Sequence, residues 1–172
     1  MEVSWCETEE ELRAVEALTY FNREFCLGSA KAVQAKLNGE LAGGFWSTTE
    51  QFEESELGVR YAFSPNQVWL FAARVDKQHR EKRVYSSILD FILPSLASQG
   101  KSHQLVAVNP NNKGSHRVHQ QRSFRSPGTI FAMRIFKMTV CFCFGEVKCD
   151  RWIAVNSKKH PVVIEISTTD ED

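Results

Sequence analysis

The sequence predicts an α/β fold, a mixed and mostly antiparallel twisted sheet with helices on both faces. Three observations predict it. Asn38-Gly39 lies between two alternating segments, "AKAVQAKL" and "ELAGGFW", and this dipeptide in that setting is the strongest short signal for a β-hairpin. The strand-like run "QVWLFAARV" passes through a charged turn into the helix-like run "YSSILDFILPSLA", a change of apolar period from two to 3.6. The overall order is strand, helix, hairpin, then strand–helix–strand–helix–strand. Such an order suits a sheet that is neither wholly parallel nor a simple meander.

Each element has its own warrant. "VSWC" is a short first strand. "TEEELRAVEALTYFNREF" is a helix, with Thr8 and Glu11 spaced as a capping box and Leu12, Val15, Leu18, Phe21 and Phe25 at helical spacing. The hairpin follows. "STTEQFEESELGVRYAFSPN" is polar and irregular, which predicts a loop with a short helical turn. "QVWLFAARV" is a strand; Tyr85 to about Ala97 is a helix that Pro94 kinks or ends. "HQLVAVNP" is a strand and "KGSHRVHQQRSF" a short helix. "GTIFAMRIFKMTVCFCF" is one long strand or a bent pair, and its alternative role is a dimer-forming strand, since long apolar edges rarely stay uncovered. "DRWIAV" and "VVIEIS" are late strands, and "TTDED" is a frayed tail. In a sheet of this kind the ligand site is expected at the carboxyl ends of strands, where strand order opens a crevice.

With 172 residues the chain suits a single domain, 1–172, with a real core. A hydrophobic content of 42% and a charged content of 24% are those of a soluble globular protein. The formal net charge is zero, yet the charge is unevenly placed. Residues 1–73 carry 5 Lys/Arg against 12 Asp/Glu, residues 74–137 carry 12 against 3, and residues 138–172 carry 4 against 6. A locally basic middle can draw in a small phosphorylated ligand or be one solvated face. It carries no nucleic-acid motif and spreads over several elements, so no nucleic-acid partner is expected. Five cysteines, Cys6, Cys26, Cys141, Cys143 and Cys149, include no CxxC pair. Cys141 and Cys143 would share one strand face, but zinc needs more ligands than these, so reduced buried thiols and no metal are expected. The acidic N-terminus is unlike a signal peptide and no apolar run approaches the roughly 20 residues of a bilayer span. A cytoplasmic protein with no membrane partner is the default expectation.

The stretch with the most chemistry is the turn "VDKQHREKRVYSS", from Val75 to Ser87. A charged turn between a strand and a helix is a place to bind phosphate, because the helix start presents backbone N–H groups. Such turns usually carry glycine; this one has Arg80, Lys82 and Arg83 and no glycine. The order of elements and this turn together resemble the GNAT-superfamily N-acetyltransferases, whose phosphate turn reads roughly V-x-P-x-x-R-G-x-G-x-G/A. Val75 and Arg80 match, Lys77 replaces the proline, and Glu81, Arg83 and Tyr85 replace the small residues. A second signature of that family, roughly N-x-x-A-x-x-x-Y-x-x-x-G-F, falls on Asn112, Ser115, His119, Ser123 and Phe124. The resemblance covers about residues 2–140.

That resemblance implies an acyl-CoA N-acyltransferase fold, acetyl-CoA as co-substrate and a small-molecule amine as acceptor. It implies coenzyme A binding by Val75, Arg80, Glu81, Lys82, Arg83, Val84, Tyr85, Ser86 and Asn112, with the turn's N–H groups on the pyrophosphate and the chain at Val75 polarising the thioester carbonyl. Arg83 in place of glycine costs little if it adopts ordinary helical dihedrals, because its backbone N–H remains, and Tyr85 either fills the pocket or turns into the helix packing. His119 stands where the family often has a tyrosine that protonates the departing thiolate. A histidine, with an ordinary pKa of about 6.5, suits acid–base work, although one on a short polar helix is commonly a surface residue. Asn112 hydrogen-bonds the pantetheine arm or caps the following helix. Glu53, Glu54 and Glu56 are surface acids or attract a cationic amine, and none is singled out as the base. Trp46, Trp69 and Phe71 are core or cleft lining. The function implied is N-acetylation by direct transfer; the alternative is a catalytically silent GNAT-like domain serving as a binding or regulatory module.

Overall fold

Asn38 and Gly39 both have positive φ, 54° and 87°, as a tight two-residue hairpin turn demands. They join β2 (Lys31–Leu37) to β3 (Glu40–Thr48). The computed structural model describes residues 1–21 and 30–167. The chain divides into two compact units, Met1–Thr49 with Pro65–Asn112, and Glu50–Ser64 with Lys113–Asp172.

The first unit is built on a five-stranded sheet. β1 (Glu2–Trp5), β6 (Gln67–Val75) and β7 (His103–Val106) complete the order β1-β2-β3-β6-β7. All its pairs are antiparallel except β6–β7. The helices α1 (Glu9–Thr19) and α2 (Val84–Ser98) lie on opposite faces, and two adjacent glycines show it. A Cβ on Gly43 would stand 2.7 Å from Val84 Cγ1 on α2, and one on Gly44 would stand 2.7 Å from Val15 Cγ1 on α1. Neighbouring strand residues face opposite sides of a sheet, so β3 is thinned on both faces where the two helices press on it.

The predicted capping box starts α1. Thr8 Oγ1 accepts the Glu11 N–H at 3.2 Å, and the Glu11 carboxylate accepts the Thr8 N–H at 3.3 Å. The helix is shorter than its apolar spacing predicts, because Tyr20 turns left-handed (φ 54°) under the Arg74 guanidinium, 4.1 Å above its ring. Phe21 therefore leaves the helix and packs against Trp46 and Phe71, at ring separations of 5.5 and 5.0 Å. Phe25 and Cys26, like the tail 168–172, lie outside the described residues. Helix α2 runs on through Pro94 to Ser98. Pro94 has no N–H to give the carbonyl of Asp90, and Asp90 is exposed to water. Trp46, Trp69 and Phe71 are all buried, so they are core, and Trp46 Nε1 donates to Thr19 Oγ1 at 3.0 Å.

The second unit corrects one expectation. The described strands form three sheets, and the supposed loop before β6 contains β4 (Phe52–Glu54) and β5 (Val59–Ala62). These strands are too short to show a period. They exist through a distant partner, β12 (Val162–Ile166), which runs parallel to β5 with Val59 opposite Val162 and Tyr61 opposite Ile164. With β10 (Val147–Cys149) they form the order β10-β12-β5-β4. The phenylalanine-rich run is a hairpin: β8 (Gly128–Ile135) turns at Phe136 (φ 56°) into β9 (Met138–Gly145). β11 (Ile153–Val155) flanks β9 in a three-stranded sheet. α3 (Lys113–Gln120) is the short helix expected there. No helix among the described residues is long and apolar enough to cross a membrane.

Candidate active site

Strand β6 is longer than its pairing with β7. The parallel register runs from Gln67 opposite His103 to Leu70 opposite Val106 and stops. On the other side, β6 stays paired with β3 as far as Val75 opposite Gly43. Ala72, just past the point where β7 stops, has φ 49°, a local distortion of the kind that bends a strand away from its neighbour. The Asp76 N–H donates to the Ala42 carbonyl at 2.9 Å. Since N–H groups alternate sides along an extended strand, that of Val75 faces away from β3. The end of β6 thus opens where the resemblance places the thioester.

From Val75 the chain makes a 3₁₀ turn, Lys77–His79, with Asp76 Oδ1 accepting the Gln78 N–H at 3.0 Å. It then reaches α2 through Glu81 (φ 67°) and Arg83 (φ 60°), both left-handed. Arg83 is the N-cap of α2 at ψ 16°, so the condition under which its substitution costs little, ordinary helical dihedrals, is not met. These are the positions where the GNAT signature has glycine. The side chains differ from that signature, and the backbone has the positive φ that glycine serves. Holding two non-glycine residues there costs on the order of 1–2 kcal/mol each, and strain of this kind persists where the surrounding structure dictates it. Here the dictating contact is Gly43, which seats buried Val84 against the sheet.

Glu81, Lys82, Arg83 and Arg80 are exposed, and Tyr85 and Ser86 half-buried. The Tyr85 ring stands edge-on to buried Phe45, centroids 5.9 Å apart, so it turns into the sheet packing. The Arg83 side chain makes no cap hydrogen bond. The first turn of α2 begins at Val84, and the N–H groups at a helix start point along the axis away from the helix's own carbonyls. A turn with left-handed residues leading into such a start forms a concavity for an anion.

His79 is the residue the sequence hid. Between Gln78 and Arg80 it reads as one more solvated group, yet it is buried beneath the turn. Its N–H donates to the Asp76 carbonyl at 3.0 Å and its carbonyl accepts the Lys82 N–H at 3.4 Å. Its Nδ1 lies 3.5 Å from Lys82 Nζ, and its Nε2 is 3.9 Å from a carboxylate oxygen of Glu40.

The turn residues and Asn112 belong to the first unit and His119 to the second. Asn112 stands directly before α3, with its N–H donating to the Asn109 carbonyl at 2.8 Å. His119 is 5% exposed, not a surface residue. Its Nδ1 lies 2.8 Å from the Ser115 carbonyl, which fixes the proton on that nitrogen, and its ring stands edge-on to Phe124 at 4.9 Å. Burial pushes its pKa below 6.5. The resting ring is therefore neutral at pH 7, and Nε2 is its basic nitrogen.

Among the acids, Glu53 is held by Arg60 at 2.8 Å. Glu54 keeps an exposed edge, but crowding around its carboxyl, followed by the charge of Glu56, raises its pKa. Of the three it is the one suited to carry a proton. The thiols of Cys141, Cys143 and Cys149 lie within 4.8 Å of one another; sequence spacing brought only the first two together.

No family model and no curated protein matches the sequence. Solved structures do match. An aminoglycoside N-acetyltransferase, AAC(6')-Iy in complex with CoA, aligns with 78% of this chain and 98% of its own at a TM-score of 0.58 and 15% identity. The aminoglycoside acetyltransferase meta-AAC0020, from an uncultured soil metagenomic sample and in complex with sisomicin, aligns with 78% and 95% at 0.59 and 9% identity. The ribosomal-protein-alanine N-acetyltransferase of Brucella melitensis biovar Abortus 2308 aligns with 78% and 100% at 0.54 and 14% identity. The fold of this chain is that of the GNAT-superfamily N-acetyltransferases.

Proposed function

We propose that the chain is an acetyl-CoA-dependent N-acetyltransferase that acts on a small-molecule amine by direct transfer. The observation that carries the proposal is the left-handed backbone of Glu81 and Arg83 at the start of α2. The pyrophosphate of coenzyme A would lie at the turn leading into α2, on the N–H groups of Arg83 and Val84, with the Arg80 and Arg83 guanidinium groups beside it. The Val75 N–H would polarise the thioester carbonyl, and Asn112 would hold the pantetheine arm. Support for the coenzyme comes also from the matching fold of an enzyme bound to CoA.

The His119 ring is neutral at pH 7 with its proton on Nδ1, which leaves Nε2 able to accept one. It takes the proton of the attacking amine at Nε2 and returns it to the departing sulfur, so one residue serves both halves of the transfer. Glu54 is the alternative first acceptor. The acids at 53–56 favour a cationic amine, the chemistry of the aminoglycoside bound to a matching structure.

Calorimetric titration with acetyl-CoA separates backbone from side-chain binding. Arg83→Gly keeps the left-handed turn and removes the guanidinium; retained affinity assigns the phosphates to the backbone, and lost affinity assigns them to Arg83. Saturable binding with no turnover on any amine would identify a silent module. The three-stranded sheet further supports a homodimer: Phe131, Met133, Phe144, Ile153 and Val155 leave an apolar face exposed of the kind that marks an interface. Sedimentation should show a dimer that Phe144→Asp converts to monomer.

A further inference from the structure

We propose that Cys141, Cys143 and Cys149 form a three-thiolate site for a soft metal cation, with Cu(I) the ion it fits best. Cys141 and Cys143 lie two apart on the inward face of β9, and the chain reverses at Gly145 (φ 81°) so that β10 returns Cys149 to the same face. The Cys141 and Cys143 sulfurs are 3.9 Å apart, and all three lie within 4.8 Å of one another. Metal–sulfur bonds of about 2.3 Å place two thiolates on one ion about 3.8–4.0 Å apart, so one edge of the triangle already has the required length and the others, at no more than 4.8 Å, lie within a small closure of it.

A disulfide suits the first pair poorly. Residues two apart on a strand have Cβ atoms roughly 6.7 Å apart, whereas a disulfide holds them about 3.8 Å apart. An ion spans the longer gap. Three sulfur ligands with no histidine or carboxylate in the cluster select a soft cation, and three-coordination suits Cu(I) better than zinc, which wants a fourth ligand. Cys141 is buried, while Cys143 and Cys149 are half-buried and give the ion a way in. Burial holds Cys141 at a pKa of about 11 and Cys143 higher still, so each thiol that coordinates releases its proton to solvent. The bound ion would tie β9 of the three-stranded sheet to β10 of the four-stranded one, and would stabilise this unit by mass action.

The test is an anaerobic titration of the reduced full chain with Cu(I) against the chromogenic chelator bicinchoninate. One Cu(I) per chain should leave the chelator, with a thiolate-to-copper absorption band and a raised thermal midpoint. Cys143→Ser and Cys149→Ser should each weaken binding roughly 100-fold, since even an outer-shell partner is worth 10–100-fold. Cys6→Ser and Cys26→Ser should not. Circular dichroism and the metal-free melting midpoint check that the variants fold. No withdrawal of Cu(I) by the folded wild type, or equal withdrawal by the Cys143 and Cys149 variants, overturns the site. Tighter retention of zinc in a parallel chelator competition overturns the choice of ion.

Discussion

Glu81 and Arg83 show how a residue's identity and its conformation can part company. Reading side chains alone, Arg83 where glycine is usual leaves its dihedrals open. The packing of Val84 under Gly43 fixes the chain path and leaves Arg83 left-handed. Gly has no left-handed penalty but loses more entropy on folding, so Arg83→Gly should raise stability by about 0.5–1 kcal/mol, read from urea midpoints. Arg83→Ala keeps the strain and should gain nothing. His119 gives a second prediction. Its folded pKa lies below 6.5, so between those values the unfolded chain binds more protons. Its contribution to stability is complete above about pH 6.5 and is lost as pH falls through that value. His119→Gln should flatten the stability profile below about pH 6.5, where the wild type loses stability as pH falls. The same variant should lower kcat by about 10²-fold or more with little change in coenzyme affinity; an unchanged kcat removes His119 from the mechanism. The burial of His119 and His79 was not legible, because polar neighbours in sequence carry no information about a fold that covers them.

At the scale of elements, legibility followed the range of the interaction. The capping box of α1 and the Asn38-Gly39 turn are decided within four residues and are present as their sequences predict. β4 and β5 depend on β12, about a hundred residues further on, and their few apolar residues give no period to detect. The third thiol of the cysteine cluster was hidden likewise, since its approach depends on the reversal at Gly145. Thr8→Ala should cost about 1 kcal/mol, the usual worth of an N-cap. Gly43→Ala is the more telling variant. Its Cβ would meet Val84 Cγ1 at 2.7 Å and Ile88 Cδ1 at 3.2 Å, and β-branched Val84 has little rotamer freedom to yield. Overpacking of this kind costs about 1–3 kcal/mol. Because Val84 opens α2, Gly43→Ala should also weaken acetyl-CoA binding, whereas Gly44→Ala, which strikes Val15 on the other face, should lower stability and leave binding intact.

For the whole molecule, net charge says little and its placement says more. Residues 74–112, in the first unit, and 113–137, in the second, each carry six Lys/Arg. The first six share their stretch with three acids and the second six with none. Attraction of a polyanionic coenzyme should therefore weaken with salt, modestly if backbone N–H groups dominate and steeply if exposed guanidinium groups do. The central claim is that a turn without glycine still holds a pyrophosphate through its left-handed backbone. Calorimetric titration of the purified chain with acetyl-CoA, and separately with desulfo-coenzyme A, tests it most directly. Saturable one-to-one binding of both ligands, weakened when Arg80 and Arg83 both become Ala, is the result predicted. Absence of heat and of any thermal shift, from protein shown to be folded, would contradict it.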